Sequence, residues 1–195
     1  MLLQAQLMGN PKISMDGSQV FLPFRKAEAL LYYLLIKKQA TRDTLVNLFW
    51  GNVDEETARK NLRNAVYIIK KTCGEELIVS PQRNILMLDE ALELQLDISP
   101  LLEGGSFNVE DEPAGEFLEG FLVKEAEYFE EWMLEMREHL RDTYVQRARQ
   151  LLKQKRAELD FAGAEVLCRR LIGVDEYNEE IYRELIDIYS QQGKY

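Results

Sequence analysis

The sequence is poor in the residues from which catalytic centres and metal sites are commonly built. Its 195 residues include one histidine, His139, and two cysteines, Cys73 and Cys168, which lie far apart in apolar helical patterns. No glycine-rich phosphate loop and no pair of a nucleophile and a base is recognisable. We therefore predict no catalytic centre, no metal site and no cofactor, and we interpret both cysteines as buried free thiols.

Long hydrophobic runs are also missing. No stretch of about 18 apolar residues is present, so we predict no membrane-spanning helix. The first seven residues lack the charged region and the long apolar core of a signal peptide, and we expect none. Hydrophobic residues nevertheless make up 46% of the chain, so we expect it to be folded throughout, as one large domain or two modest ones.

Basic residues are fewer than acidic ones, but the imbalance is confined to one half of the chain. The formal net charge is −10, from 24 Lys and Arg against 34 Asp and Glu. Residues 1–90 have a net charge of +2, with 12 basic and 10 acidic residues, whereas residues 91–195 have 12 and 24 and a net charge of −12. This asymmetry indicates a nucleic-acid-binding part joined to an acidic part.

The segment from Thr57 to Cys73 contains no acidic residue. Its apolar residues recur at the spacing of an amphipathic helix. They are Ala58, Leu62, Ala65 or Val66, and Ile69. The other positions are dominated by Arg, Lys and Asn. Such a helix suits the major groove of DNA, because phosphates attract cations and base edges need bidentate hydrogen-bond donors and acceptors.

The elements around this segment predict a winged helix-turn-helix. We predict short strands over 2–8 and 19–24, separated by the Asp16-Gly17 turn signal. Helices are predicted over 25–38 and 42–50, the second with Thr41 as its N-cap, and the recognition helix over 54–72. A hairpin with a polar tip is predicted over 77–88. In this order of elements the third helix reads DNA and the hairpin is the wing.

The second half of the sequence is predicted to be helical. One long helix, or two, is expected over 125–155. The tail has the aromatic-Leu-Tyr-Gly-aromatic spacing of a tetratricopeptide helix, and its aromatic side chains are expected to fill the seam between helices. These residues are Tyr182, Leu185, Tyr189, Gly193 and Tyr195. Because Tyr195 ends the sequence where a partner helix should begin, we expect a fragment of a longer protein.

The predicted fold class is therefore mainly α with small antiparallel sheets. A winged helix-turn-helix domain of the α+β type is expected over 1–92. An all-α, tetratricopeptide-like domain is expected over 93–195, truncated at its C-terminus.

Both halves together resemble a known family, the bacterial SARP-type transcriptional activators. The resemblance rests on segments whose order and spacing match. They are Gln6–Gly9, Met15–Gly17, Lys26–Leu35, Leu45–Gly51, Ala58–Lys71 and Phe117–Leu122, followed by Trp132, Arg137, Leu140 and Tyr144. The resemblance implies an OmpR-like winged helix followed by a bacterial transcriptional activator domain. It also implies a cytoplasmic regulator that binds direct repeats of double-stranded DNA as a head-to-tail homodimer and contacts RNA polymerase.

The candidate DNA contacts lie mainly on the third helix. Its groove-facing surface is expected to contain Lys60, Asn61, Arg63, Asn64 and Tyr67. Within this surface, Arg63 and Asn64 are candidates for bidentate contacts to guanine or adenine edges. Arg59, Lys70 and Lys71 are expected to contact phosphates, and Arg59 can also pair with Glu55 or Glu56 one turn earlier.

Two further groups of candidates flank this helix. Arg83 at the hairpin tip, beside Gln82 and Asn84, is a candidate for insertion into the minor groove. Thr41 and Arg42 are candidates for contact with the DNA backbone through the N-terminus of the second helix. The alternatives are an ordinary solvated basic face for the third helix and a polar turn without a role for the hairpin.

The sequence thus predicts a DNA-binding transcriptional activator. The main alternative is a protein–protein interaction module, in which the tetratricopeptide-like half is the working surface and the winged helix is a scaffold. The modest charge of +2 on residues 1–90 leaves this alternative open. A third possibility, an enzyme that uses paired carboxylates, would require an ordered acidic cleft between helices.

Overall fold

The computed structural model describes residues 1–103 and 115–193. Within them, the strands are β1 (Leu2–Gln6), β2 (Lys12–Met15), β3 (Ser18–Val20), β4 (Gln39–Thr41), β5 (Ile78–Val79), β6 (Ile85–Leu88) and β7 (Glu93–Leu96). The helices are α1 (Arg25–Lys37), α2 (Arg42–Trp50), α3 (Glu55–Cys73), α4 (Ser99–Leu102), α5 (Glu127–Ala157), α6 (Phe161–Val174) and α7 (Glu179–Gln191). The predicted fold class is confirmed: small sheets and helices come first, and an all-helical part follows.

The N-terminal sheet has the strand order β3-β2-β1-β7. Strands β1, β2 and β3 are antiparallel neighbours, whereas β7 pairs with β1 in parallel. Asp16 and Gly17 have positive φ angles of 47° and 83° and form the predicted turn, between β2 and β3. The sequence did not predict β2, and the strand predicted over 19–24 ends at Val20. Pro23 lies beyond it and has no backbone N–H for a ladder.

The first three helices pack as their apolar spacing predicts. Leu30, Leu31, Leu34 and Leu35 of α1 are fully buried. The buried stripe of α3 consists of Ala58, Leu62, Ala65, Ile69 and Cys73. Ala65 rather than Val66 therefore completes the stripe, and the basic and amide residues of α3 are left on its other faces.

Thr41 caps α2, as predicted. Its Oγ1 accepts the backbone N–H of Thr44 at 3.1 Å. Replacing an N-cap Thr with Ala typically lowers stability by about 1 kcal/mol, because one N–H of the first turn loses its acceptor. We expect this loss for Thr41→Ala in urea unfolding followed by tryptophan fluorescence. Thr41→Ser retains the hydroxyl and should unfold close to wild type, whereas equal destabilisation by both substitutions would contradict the capping role.

The predicted hairpin over 77–88 is confirmed and belongs to a three-stranded antiparallel sheet. Its strands β5 and β6 pair through Ile78 and Leu88, among others. The third strand, β4, pairs with β6, with Gln39 opposite Met87. The sequence did not predict β4, because a strand of three residues between two helices is too short to show a period.

The chain divides into two compact units. The described part of the first unit consists of residues 1–98 and 115–136, and that of the second consists of residues 99–103 and 137–193. These units differ from the consecutive segments 1–92 and 93–195 suggested by the sequence. The reasons are that β7 completes the N-terminal sheet, and that residues 115–136 pack within the unit that carries α3.

An aromatic core joins residues 115–136 to the helices of the first unit. The ring centroids of Tyr33 and Trp132 are 4.8 Å apart, and those of Phe49 and Phe129 are 5.2 Å apart. Phe121 packs edge-on against Tyr32 at 5.2 Å. The two tyrosines of α1 are therefore buried, although the apolar period of α1 alone did not include them. Residues 115–136 thus complete the core beneath the winged helix.

The described part of the second unit contains α4, α6, α7 and the C-terminal part of α5. Leu167 and Leu171 of α6 are buried, as are Ile181 and Ile188 of α7. An ion pair of 2.8 Å joins Arg149 of α5 to Glu180 of α7. The prediction that aromatic side chains fill the seam between helices agrees with Tyr189, which is half-buried and whose hydroxyl donates to the Glu165 carboxylate of α6 at 3.1 Å, but it needs correction for Tyr182. Tyr182 is 41% exposed, because the isoleucines occupy the inward positions instead. Tyr195 lies outside the described residues.

Among the described residues, no helix combines the length and the apolar character needed to cross a membrane.

Candidate nucleic-acid interface

The exposed face of α3 is opposite its buried stripe. At about 100° per residue, positions 60, 64, 67 and 71 fall close together on this face. Lys60, Asn64, Tyr67 and Lys71 are all exposed, as is Arg63 beside them. Four of the five residues predicted to face the groove therefore share one surface. The fifth, Asn61, is half-buried and lies on one flank of this surface. Arg59 and Lys70 are also half-buried and lie on the opposite flank.

A cleft lined by four arginines lies beside this face. It has a volume of about 730 Å³ and is formed by the start of α2, one flank of α3 and the hairpin tip. We call it the arginine cleft, and its lining residues are Arg42, Arg59, Leu62, Arg63, Arg83 and Asn84. Cations held close together in a concave surface create a positive potential that attracts anions. The cleft therefore gathers predicted contacts from three separate segments.

Burial and neighbouring cations both act on Arg42. Partial burial, followed by repulsion from Arg63 and Arg59, lowers the pKa of the Arg42 guanidinium. Its Nε donates to the carbonyl of Arg83 and its Nη2 donates to the Ser80 hydroxyl, both at 3.1 Å. Arg42 was predicted to meet the DNA backbone through the N-terminus of α2; its side chain fixes the hairpin tip against the start of this helix.

Asp43 is an acidic residue at this basic site that the sequence did not single out. Its carboxylate accepts a hydrogen bond from Arg59 at 2.8 Å and another from Asn84 at 3.2 Å. It therefore links α2, α3 and the hairpin. Its position in the first turn of α2 indicates only a favourable helix-dipole contact, so no local signal identified this role.

The predicted pairing of Arg59 with an acidic residue one turn earlier is confirmed for Glu55. Arg59 Nε donates to the Glu55 carboxylate at 2.9 Å. The hydrogen bond to Glu55, together with Asp43, raises the pKa of Arg59. A guanidinium has five N–H donors, so these two contacts use only part of its capacity to bind a phosphate.

The remaining predicted contacts differ in their environments. Lys70 lies 3.7 Å from the carboxylate of Glu75, whereas Lys71 and Arg83 are exposed. The hydroxyl of Thr41 serves as the helix cap. The backbone N–H of Arg42 donates to the carbonyl of Asn84 at 2.8 Å, so two N–H groups at the start of α2 have acceptors within the protein.

A second groove lies along the other flank of α3 and was missed by the sequence. It has a volume of about 730 Å³, and we call it the lysine groove. Its lining residues are Phe24, Arg25, Lys26, Trp50, Asn61, Asn64, Gly120, Leu122, Val123 and Lys124. Because Lys124 is 60 positions from Asn64 in the sequence, no motif spacing connects the two residues.

The potential ligands for a metal ion are scattered. Within residues 1–103 and 115–193, no group of three or more His, Cys, Asp or Glu side chains could hold a metal ion. His139 is exposed on α5. Cys73 and Cys168 are buried free thiols, as predicted, and burial raises the pKa of Cys73 to about 11.

The fold belongs to a mainly helical class with small sheets, in which a part that contains the strands comes first and an all-helical part follows. The chain is similar to the solved structure of Mycobacterium tuberculosis EmbR in complex with a low affinity phosphopeptide, with a TM-score of 0.66. The match covers 98% of this chain and 55% of that chain, at 16% sequence identity. At this identity the likeness establishes the fold alone. No protein-family model matches the chain, and no curated protein gives a significant match.

Proposed function

We propose that the protein is a sequence-specific DNA-binding transcriptional activator. In this proposal α3 enters the major groove and the hairpin over 77–88 is the wing. The observation that carries the proposal is the exposed face of α3, on which Lys60, Arg63, Asn64 and Tyr67 lie next to the arginine cleft. A major groove about 12 Å wide accepts a helix about 10–12 Å across.

The side chains on this surface have different proposed roles. Arg63 and Asn64 read base edges, since Arg makes bidentate contacts to guanine and Asn to adenine. Lys60, Lys70, Lys71 and Arg59 neutralise phosphates, and Arg83 enters the minor groove from the wing. Arg42 and Asp43 hold the wing and Arg59 in place for these contacts.

The resemblance to the SARP-type activators supports this proposal, as does the likeness in fold to EmbR. We further propose that residues 1–92 form the DNA-binding domain that carries α3 and the wing, and that residues 93–195 form the activator domain. Binding to direct repeats as a homodimer, contact with RNA polymerase and a cytoplasmic location are parts of the same proposal. This chain spans about half the length of the EmbR chain, 55%.

Selection of bound duplexes from random DNA, followed by a salt titration, tests the proposal. Each phosphate that a Lys or Arg neutralises contributes about −0.9 to the slope of log affinity against log salt concentration. We expect an enriched sequence and a slope of about −3 to −4 for each bound protomer, because four of its cations are proposed to contact phosphates. A selection without enrichment, together with a mobility assay that shows no shift of any duplex, would contradict the proposal.

The interaction-module alternative has one structural observation in its favour. Helix α7 exposes two large apolar side chains one turn apart, Tyr182 at 41% and Ile186 at 64%. Exposed apolar side chains at this spacing are typical of a helix that binds a protein partner. The DNA experiment separates the two functions, because an interaction module with a scaffolding winged helix predicts no enriched sequence.

A further inference from the structure

Helix α3 has a cationic groove on each side of its exposed face. Lys60, Tyr67 and Lys71 form a line along the middle of the exposed face of the helix. At about 100° per residue, Arg63 falls on one side of this line and Asn64 on the other. Arg63 lines the arginine cleft, whereas Asn64 lines the lysine groove. The second groove is therefore continuous with the proposed base-reading surface.

Two cations of the lysine groove are fixed by the aromatic core. Lys26 Nζ donates to the carbonyl of Glu125 at 2.9 Å and lies 5.9 Å from the ring centroid of Trp50. The guanidinium of Arg25 lies 5.0 Å from the ring centroid of Phe121. Cation–π contacts of this kind hold the charge over the ring face. Arg25 Nη1 also donates to the Glu28 carboxylate at 3.0 Å, which uses part of the five-donor capacity of the guanidinium. Both positive charges are thus positioned at the wall of the groove before any ligand binds.

A third cation, Lys124, is exposed and comes from a different part of the chain. Residues 120–124 supply one wall of the lysine groove, and no residue of the lining is acidic. Met8 pairs with Phe117 in an isolated antiparallel bridge, and the N–H of Leu118 donates to the carbonyl of Leu7 at 2.7 Å. These contacts anchor the segment that leads to Lys124 within the first unit.

We propose that Lys124 and Arg25 bind DNA backbone phosphates on the side of α3 opposite the arginine cleft. A helix in the major groove has one phosphate strand on each side, so cations on both flanks each meet a backbone. The segment after residue 114 then forms part of the DNA interface, outside the winged helix proper. This inference rests on the proposed function, because it requires α3 to lie in the major groove.

Salt titration of the full chain tests the contact, with the selected duplex as the probe. Lys124→Ala should make the slope of log affinity against log salt concentration less negative by about 0.9, because one phosphate contact is lost. The sequence preference should not change. Lys12→Ala is the matched control, because Lys12 is an exposed lysine on β2 that lines neither the arginine cleft nor the lysine groove. The salt slope of this variant should equal that of the wild type.

Ethylation interference locates the contact on the duplex. In the wild type, ethylation of a contacted phosphate should weaken binding. In Lys124→Ala, ethylation of one such phosphate should no longer have this effect. This phosphate should lie on the DNA strand opposite the one whose phosphates become insensitive to ethylation in Arg59→Ala. Suppose that the wild type binds DNA, but that Lys124→Ala has the same salt slope and the same interference pattern as the control Lys12→Ala. The phosphate contact of Lys124 is then overturned, and the proposed function stands. If wild type itself binds no duplex, the proposed function fails and the inference fails with it.

Discussion

Phe129→Ala is expected to lower the free energy of unfolding of the first unit by about 3–5 kcal/mol. Phe129 is fully buried, and its ring centroid lies 5.2 Å from that of Phe49 and 5.3 Å from that of Trp132. Truncation would remove these aromatic contacts and leave a cavity between α2 and α5. A loss of this size would demonstrate that residues 115–136 are part of the core beneath α3.

Chemical unfolding followed by tryptophan fluorescence measures this effect. The two tryptophans of the sequence, Trp50 and Trp132, both lie in the first unit, so the signal reports on that unit. Tyr128→Ala is the matched control, because Tyr128 precedes Phe129 on α5 but is 60% exposed. We expect the control to change stability by less than about 1 kcal/mol. Equal effects of the two substitutions would show that the first unit does not depend on this packing.

Arg63→Ala and Asn64→Ala are expected to have the largest effects on sequence preference. Each bidentate contact contributes about 1–3 kcal/mol of discrimination against the wrong base. We therefore expect each substitution to reduce the difference in binding free energy between the selected duplex and a single-base variant by that amount. The effect should be restricted to one base position for each residue. Competition binding against a panel of single-base variants measures it.

Two comparisons make this experiment specific. Lys71→Ala should weaken binding to all duplexes nearly equally and reduce the magnitude of the salt slope by about 0.9, since a phosphate contact carries no sequence information. Arg183→Ala, on the exposed surface of α7, should change neither preference nor slope. A double variant, Arg63→Ala with Asn64→Ala, that kept the wild-type preference would reject the assignment of base contacts but not the fold.

Local sequence features were sufficient to predict the elements that form the proposed interface. The stripe of Ala58, Leu62 and Ile69 recurs at the helical period, and these residues are buried. Thr41 has the side chain that an N-cap requires, and it caps α2. These predictions succeeded because hydrophobic period and capping chemistry act between residues that are close in the sequence.

Short strands with partners that are distant in the sequence were harder to predict. Strand β7 pairs with β1 in parallel, about 90 residues away, as the contact between Gln4 and Gln95 shows. Its four residues alternate between polar and apolar, but alternation alone does not identify a partner strand that is distant in the sequence. The sequence therefore suggested a boundary just before β7, whereas pairing with β1 places this strand in the first unit.

By itself, the sequence determined the fold class, the amphipathic α3, and the basic and amide residues that this helix leaves exposed. Only the tertiary structure decided which other charges accompany them: Asp43 beside Arg59, the four arginines in one cleft, and Lys124 across the groove from Asn64. The physical reason is that a hydrophobic period specifies which face of one helix is buried. It contains no information about which distant segment packs beside the other face, because that depends on the volumes and shapes of side chains in the shared core.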